Sequence, residues 1–181
     1  VAKVNALEPD LVLLAGDYTF WGWDPADKLA PLAGLRSRYG VFAVLGNHEY
    51  SCYDLTPFFR LRSLGPDRSL PVRRALERSA VAVLRNEWRE IAVAENQRPI
   101  FIGGVDDLCS KHDRITEAIP HLAKKSVMIL IAHSPDIVLE GQAKVPHLVV
   151  AGHTHAGQIR WPFLGPVTRL PTQLGKAYDQ G

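Results

Sequence analysis

Cysteine is scarce in this chain: Cys52 and Cys109 are the only two in 181 residues. They show no close spacing and no partner pattern of the kind that marks a disulfide framework or a thiolate metal site. A single bond between them is neither demanded nor excluded, so the redox compartment stays open. Long hydrophobic runs are also missing. No stretch approaches the ~20 apolar residues of a membrane span, and Val1 to Asp10 lacks the character of a signal peptide. Charge of one sign is not in excess either. A net charge of +2 gives no global field that would draw nucleic acid or an anionic membrane, and no nucleic-acid partner is expected. The run of arginines at 60, 62, 68, 73, 74 and 78 reads first as a solvated face. Internal repeats, low-complexity tracts and a domain boundary are all lacking.

What remains is an ordinary globular composition, 46% hydrophobic and 22% charged, long enough for one domain with a sizeable core. Its informative feature is a repeated design. Leu11 to Ala15 leads into Gly16-Asp17, Val41 to Leu45 into Gly46-Asn47-His48-Glu49, Val127 to Ala132 into His133, and Leu148 to Ala151 into Gly152-His153-Thr154-His155. Each apolar run has the length of a buried strand, and a potential metal ligand follows each one. Side chains at the carboxyl ends of parallel strands converge on one crevice, which here would gather one Asp, one Asn and four His.

Imidazole nitrogens with carboxylate and amide oxygens suit borderline divalent ions such as Mn, Fe, Zn, Co or Ni better than Ca or Cu(I). A carboxylate such as Asp17 can bridge two ions, and the remaining ligands are too many for one small tetrahedral site. The natural reading is a two-metal centre, with ions ~3.5–4 Å apart clamping an in-line displacement at phosphorus. Two His one residue apart, in an extended segment, point to opposite sides, so His153 and His155 would serve different ions. His112, His121 and His147 lie in polar or helical contexts and read as structural or exposed.

The rest of the chain reads as α/β. A helix spans Val1 to Leu7, and a second opens at Asp24-Pro25 and runs to about Tyr39. An inserted flap occupies about 54–70, and a helix covers Pro71 to Ser79. Strands follow at Ala80 to Leu84, Glu90 to Ala94 and Ile100 to Gly104, forming an antiparallel or mixed portion of sheet. A helix is expected from Asp113 to Lys124, a short one after Ser134-Pro135, and an extended tail over Gln158 to Gly181.

Taken in order, Gly16-Asp17, Gly46-Asn47-His48-Glu49, Ala132-His133 and Gly152-His153-Thr154-His155 resemble the motifs of the calcineurin-like metallophosphoesterases. The flanking words, including Ile102-Gly103-Gly104-Val105-Asp106-Asp107 and His133-Ser134-Pro135-Asp136, look more narrowly like a bacterial phosphodiesterase branch. That branch includes enzymes that cleave the pyrophosphate of UDP-2,3-diacylglucosamine. The resemblance implies a layered α/β/β/α sandwich of mixed sheets in a single domain, 1–181. It implies hydrolysis of a phosphodiester or pyrophosphate bond, with two divalent ions, manganese foremost. By the resemblance Asp17 bridges the ions; Asn47, His133 and His153 complete the second site; and His155 contributes to the first. His48 would be the non-ligand catalytic residue, and a metal-bound hydroxide the nucleophile. The family's opening Asp-x-His pair is not present, so the chain is read as a fragment with a weakened first site, which leaves a metal-poor binding scaffold as the competing function. The resemblance to the retromer subunit of this fold permits that role.

Substrate contacts are expected from aromatics beside the site, Trp21, Trp23 and Trp161, which together with Phe58 and Phe59 suit a nucleotide- or lipid-linked substrate. That points to the cytoplasm or to peripheral membrane contact, with export left open by the N-terminus.

Overall fold

The structure is a computed structural model that describes residues 1–20, 28–54, 60–62, 65–91, 98–123, 125–157, 160–161, 163, 165–166 and 171–175. A short helix α1 (Ala2–Asn5) precedes β1 (Val12–Leu14), and β2 (Val41–Ala43) pairs parallel to β1 with Val12 opposite Val41. β3 (Cys52–Asp54) and β4 (Arg60–Arg62) form an antiparallel pair at the base of the expected flap, whose residues 55–59 and 63–64 lie outside the described residues. The helix α2 (Ser69–Arg78) leads to β5 (Ala82–Val83), which joins β2 in parallel and completes a three-stranded sheet in the order β1-β2-β5. The second sheet contains β6 (Glu87–Ile91), β7 (Ile100–Gly104), β8 (Val127–Ile131) and β9 (Leu148–Val150), in that order. β6 runs antiparallel to β7, and the other two pairings are parallel. This is the mixed α/β architecture expected from the sequence.

Side-chain alternation explains the stacking. Along β2 and its extension, Val41, Ala43 and Leu45 face α2, where Val72, Ala75 and Leu76 present a stripe at helical spacing. Phe42 and Val44 face the other way and meet Leu84, Ile91, Ile102 and Ile131, forming the core between the sheets. On β8 the same period sends Ile131 inward, while Met128 and Leu130 turn to an outer core with Val105, Ile115, Ala118 and Ile137. The central strands β2 and β8 are therefore covered on both faces and continuously apolar, whereas β6, at the edge of the second sheet, exposes Trp88, Arg89 and Glu90.

The helices expected to reach Tyr39 and Lys124 fare less well than α2, which falls where the sequence places a helix. Within the segment expected to be helical up to Tyr39, the described part is α-helical at 28–29, tightens to a 3-10 helix at Ala30–Gly34 and leaves helical geometry at Leu35. Gly34 disfavours continuation, so the helix ends there, short of Tyr39. The segment from Asp113 onward contains turns rather than a helix, with Pro120 blocking propagation. After Ser134, whose hydroxyl accepts the Asp136 N–H, the chain makes 3-10 turns at Pro135–Leu139 and Gly141–Lys144. The described part of the tail includes a small antiparallel pair, β10 (Arg160–Trp161) with β11 (Gly165–Pro166). Among the described residues, no helix is long and apolar enough to cross a membrane.

Candidate metal centre

Two strands from each sheet end at one place. Asp17 follows β1, Asn47 and His48 follow β2, His133 follows β8, and His153 follows β9. The hydrogen bond from Gly152 N–H to the His133 carbonyl, 3.0 Å, continues the β8–β9 ladder into the site.

Glycine makes the close approach possible. A Cβ on Gly16, at φ +95°, would lie 2.7 Å from His133 Nδ1. One on Gly46 would overlap Asp17 Oδ1 and lie 2.8 Å from His133 Cε1. Neither distance is sterically open to a side chain, so these two positions fix how near Asp17 and His133 come to the β2 loop.

Four atoms then converge. His133 Nε2 lies 3.0 Å from Asn47 Oδ1, 3.0 Å from His153 Nδ1 and 3.2 Å from Asp17 Oδ2. The orientation of two of these donors is set from behind. His133 Nδ1 donates to the Ala15 carbonyl at 2.6 Å, which leaves its Nε2 lone pair facing inward. Asn47 donates from Nδ2 to the Cys52 carbonyl at 2.5 Å, so its oxygen points at the cluster. A carboxylate oxygen, an amide oxygen and two imidazole nitrogens thus aim electron pairs at a common point. Two donors each about 2.1 Å from one ion lie about 3 Å apart, the spacing seen here. The donor set fits a divalent cation, and the atoms of Asp17, His133 and His153 all lie within 4.8 Å of one another.

Electrostatics follow from that crowding. Burial opposes ionisation of Asp17, but the bond to His133 and the charges of His133 and His48 outweigh it and hold the carboxyl below its ordinary value. Burial likewise opposes a charge on His133, yet the bond to Asp17 and its charge raise its pKa. His153, buried and beside His133, is pushed down to about 4 and is neutral at physiological pH.

His48 stands beside this cluster and outside it. Its backbone N–H donates to Asp17 Oδ1 at 3.2 Å, and its Nδ1 donates to the Thr19 carbonyl at 3.2 Å. Nε2 is left facing Asp17 Oδ2 at 3.8 Å. Phe20 stacks on the ring at 5.6 Å and Tyr53 meets it edge-on at 4.9 Å. The cleft, about 340 Å³, is walled by Phe20, Thr19 and the cluster itself. His155 lines the same cleft but is exposed and lies outside the three-residue cluster of Asp17, His133 and His153.

The segment after β9 departs from the extended geometry expected for His153 and His155. Thr154 N–H bonds the Gly152 carbonyl at 2.8 Å across His153, a γ-turn with φ +71°. His155 follows at φ +51° and opens a 3-10 turn, His155–Gly157. The two imidazoles are therefore separated by a left-handed turn, not by strand alternation. Asp17 is left-handed as well, at φ +61°. Left-handed backbone at these three positions, Asp17, His153 and His155, is of the kind that concentrates where structure serves a site.

Trp21 and Trp23 lie outside the described residues. Trp161 is exposed on β10 and does not line the cleft; the aromatic wall is Phe20. Asp10 sits at the opposite end of β1, exposed and 3.9 Å from Arg38. One residue had a larger part than its motif suggested. Glu49 is fully buried and accepts from the backbone N–H groups of Asp17, Tyr18, Thr19 and Gly46 and from the Thr19 hydroxyl, tying the two ligand loops together. Its only sequence signal is a charged residue at the end of a buried strand.

Comparison with known proteins agrees with this geometry. Over 186 residues the chain is 27% identical to an uncharacterized metallophosphoesterase YkuE of Bacillus subtilis, covering 100% of the chain and 58% of that protein. It is 30% identical over 202 residues to a putative metallophosphoesterase, F40B5.2, of Caenorhabditis elegans, covering 99% and 37%. A transmembrane protein with metallophosphoesterase domain from Bos taurus is 32% identical over 176 residues, covering 88% and 36%. The chain thus spans about half the length, or less, of these curated relatives. No solved structure matches it significantly. The family model for calcineurin-like phosphoesterases matches residues 1–157, from α1 through the last His of the site, and the chain belongs to that family.

Proposed function

We propose that this domain hydrolyses a phosphodiester or pyrophosphate bond with two divalent metal ions, manganese foremost, iron, zinc, cobalt or nickel being alternatives. The observation that carries the reading is the convergence of Asp17 Oδ2, Asn47 Oδ1, His133 Nε2 and His153 Nδ1 on one point beside an imidazole that is not part of the set. Asp17, Asn47, His133 and His153 would hold one ion, and Asp17 with His155 would contribute to the other. Bound ions would supply Lewis-acid activation of water and neutralise charge on the phosphoryl group. Among the described residues the cleft is lined by no lysine or arginine.

The side chains define the remaining roles. His48, with Nδ1 held by the Thr19 carbonyl, presents Nε2 to the cleft, where it can stabilise phosphoryl oxygens or pass a proton to the leaving alkoxide. Phe20 holds the imidazole plane and gives the cleft one apolar wall. That wall favours a substrate with an apolar or aromatic neighbour to its phosphate, either nucleotide- or lipid-linked, of which a UDP-linked acylated sugar is one example. Peripheral contact with a membrane would accompany the lipid-linked case.

The test is metal content and Mn-dependent hydrolysis of a chromogenic phosphodiester by the protein carrying this chain, with His48→Ala as control. Two ions per chain and activity lost in the variant support the reading. Metal-poor, inactive protein supports the binding scaffold instead. Equal efficiency on a UDP-linked lipid and a small generic diester would remove the lipid-linked specificity alone.

A further inference from the structure

The two cysteines that sequence spacing leaves unassigned meet across the fold. Cys52 opens β3 and Cys109 lies in the turn after β7, yet their Sγ atoms are 2.9 Å apart. Even carbon atoms, smaller than sulfur, rest at about 3.5–4.0 Å when not bonded. Two thiols held inside that distance are placed for a covalent bond, whose length is about 2.05 Å. Their surroundings differ. Cys52 is buried, whereas Cys109 is partly exposed, so a solute meets Cys109 first.

We propose that Cys52 and Cys109 form a dithiol modification site, closed by low-molecular-weight disulfides such as oxidised glutathione. The Cys109 thiolate attacks one sulfur of the small disulfide, forming a mixed disulfide and releasing one thiolate. The Cys52 thiolate then attacks Cys109 Sγ, forming the internal bond and expelling the second thiolate. Two protein thiols are oxidised, one small disulfide is reduced to two thiols, and the two protons lost by the cysteines end on those thiols.

Closure would staple the ligand loop to the second sheet. Cys52 brackets Asn47: its N–H donates to the Asn47 carbonyl at 2.9 Å, and its carbonyl accepts from Asn47 Nδ2 at 2.5 Å. The second of these bonds is the one that aims Asn47 Oδ1 at the cluster. The staple thus fixes the backbone on which that ligand turns, and it is independent of what the site hydrolyses.

The test uses the intact protein incubated with oxidised glutathione, quenched with acid, denatured, alkylated with iodoacetamide and mapped by peptide mass spectrometry. The expected result is loss of both alkyl labels, a linked pair of peptides containing Cys52 and Cys109, and no retained glutathione, with both labels restored by dithiothreitol. Cys52→Ser should instead retain glutathione on Cys109. Alkylation of both cysteines in the treated wild-type protein, or glutathione persisting on Cys109 there, would overturn the proposal.

Discussion

The buried carboxylate of Glu49 accepts the backbone N–H of Asp17 at 3.0 Å, and the same oxygen accepts that of Gly46 at 2.8 Å. One side chain thus fixes the loops that follow β1 and β2, and with them Asp17 and Asn47. Its other oxygen serves Tyr18 at 2.7 Å and Thr19 at 3.0 Å. Glu49→Gln keeps the shape but turns an NH2 group toward N–H donors on one side. Leaving buried donors unmet costs about 1–3 kcal/mol, read as a lower urea midpoint. Manganese affinity should fall with it, because the Asp17 loop loses its brace.

Metal binding should stabilise the fold measurably. At manganese one hundred times its Kd, linkage predicts about 2.7 kcal/mol of added stability, reversed by EDTA. Asn47→Ala or His133→Ala should remove most of that increment, since each withdraws one of the four converging atoms. Thermal unfolding with and without manganese checks this, and an undiminished shift in both variants would place the ion elsewhere.

His48→Ala should separate chemistry from binding. The ring lies outside the converging set, so manganese affinity should hold, while kcat falls about 10²–10⁴-fold, the usual yield of a positioned acid. Titration calorimetry and steady-state kinetics on the same preparation distinguish the two effects.

Asp107 offers a pH prediction. It is fully buried, its Oδ2 accepts from Ser110, and its Oδ1 has no hydrogen-bond partner among the described residues. Burial raises its pKa above 3.8, against the Ser110 hydrogen bonds. The folded state therefore binds its proton more tightly than the unfolded state, so stability falls as pH rises from 3.8 through the folded pKa and then stays lowered. Asp107→Asn has no charge to bury. Its stability should therefore lack the decline that the wild type shows as pH rises above 3.8. Chemical denaturation at several pH values reads it directly.

The strands were legible because burial on both faces writes itself as unbroken apolar runs. β7 occupies the expected Ile100–Gly104, and β8 lies within the run from Val127. The polar residues that end such runs could be placed by the same logic: the structure brings Asp17, Asn47, His133 and His153 together, while His155 stays outside their cluster. Of the helices, α2 (Ser69–Arg78) falls where one was expected and α1 (Ala2–Asn5) lies within its segment, whereas those expected to reach Tyr39 and Lys124 stop or fail where Pro31, Gly34 and Pro120 decide locally against the apolar spacing. The turn at His153 also escaped, because a left-handed residue without glycine leaves no trace in composition. Nor does the 57-residue interval between Cys52 and Cys109 signal that they touch.

Because Asp17 and Asn47 hang from one sheet and His133 and His153 from the other, an ion held among them acts as a rivet through the sandwich. Coordination tolerates misplacement of only about 0.5 Å, so any slip of one sheet over the other loosens the ion. Affinity for metal then becomes a gauge of how tightly Phe42, Val44, Ile102 and Ile131 interlock between the sheets. A cavity opened there would be felt first as a leaking ion.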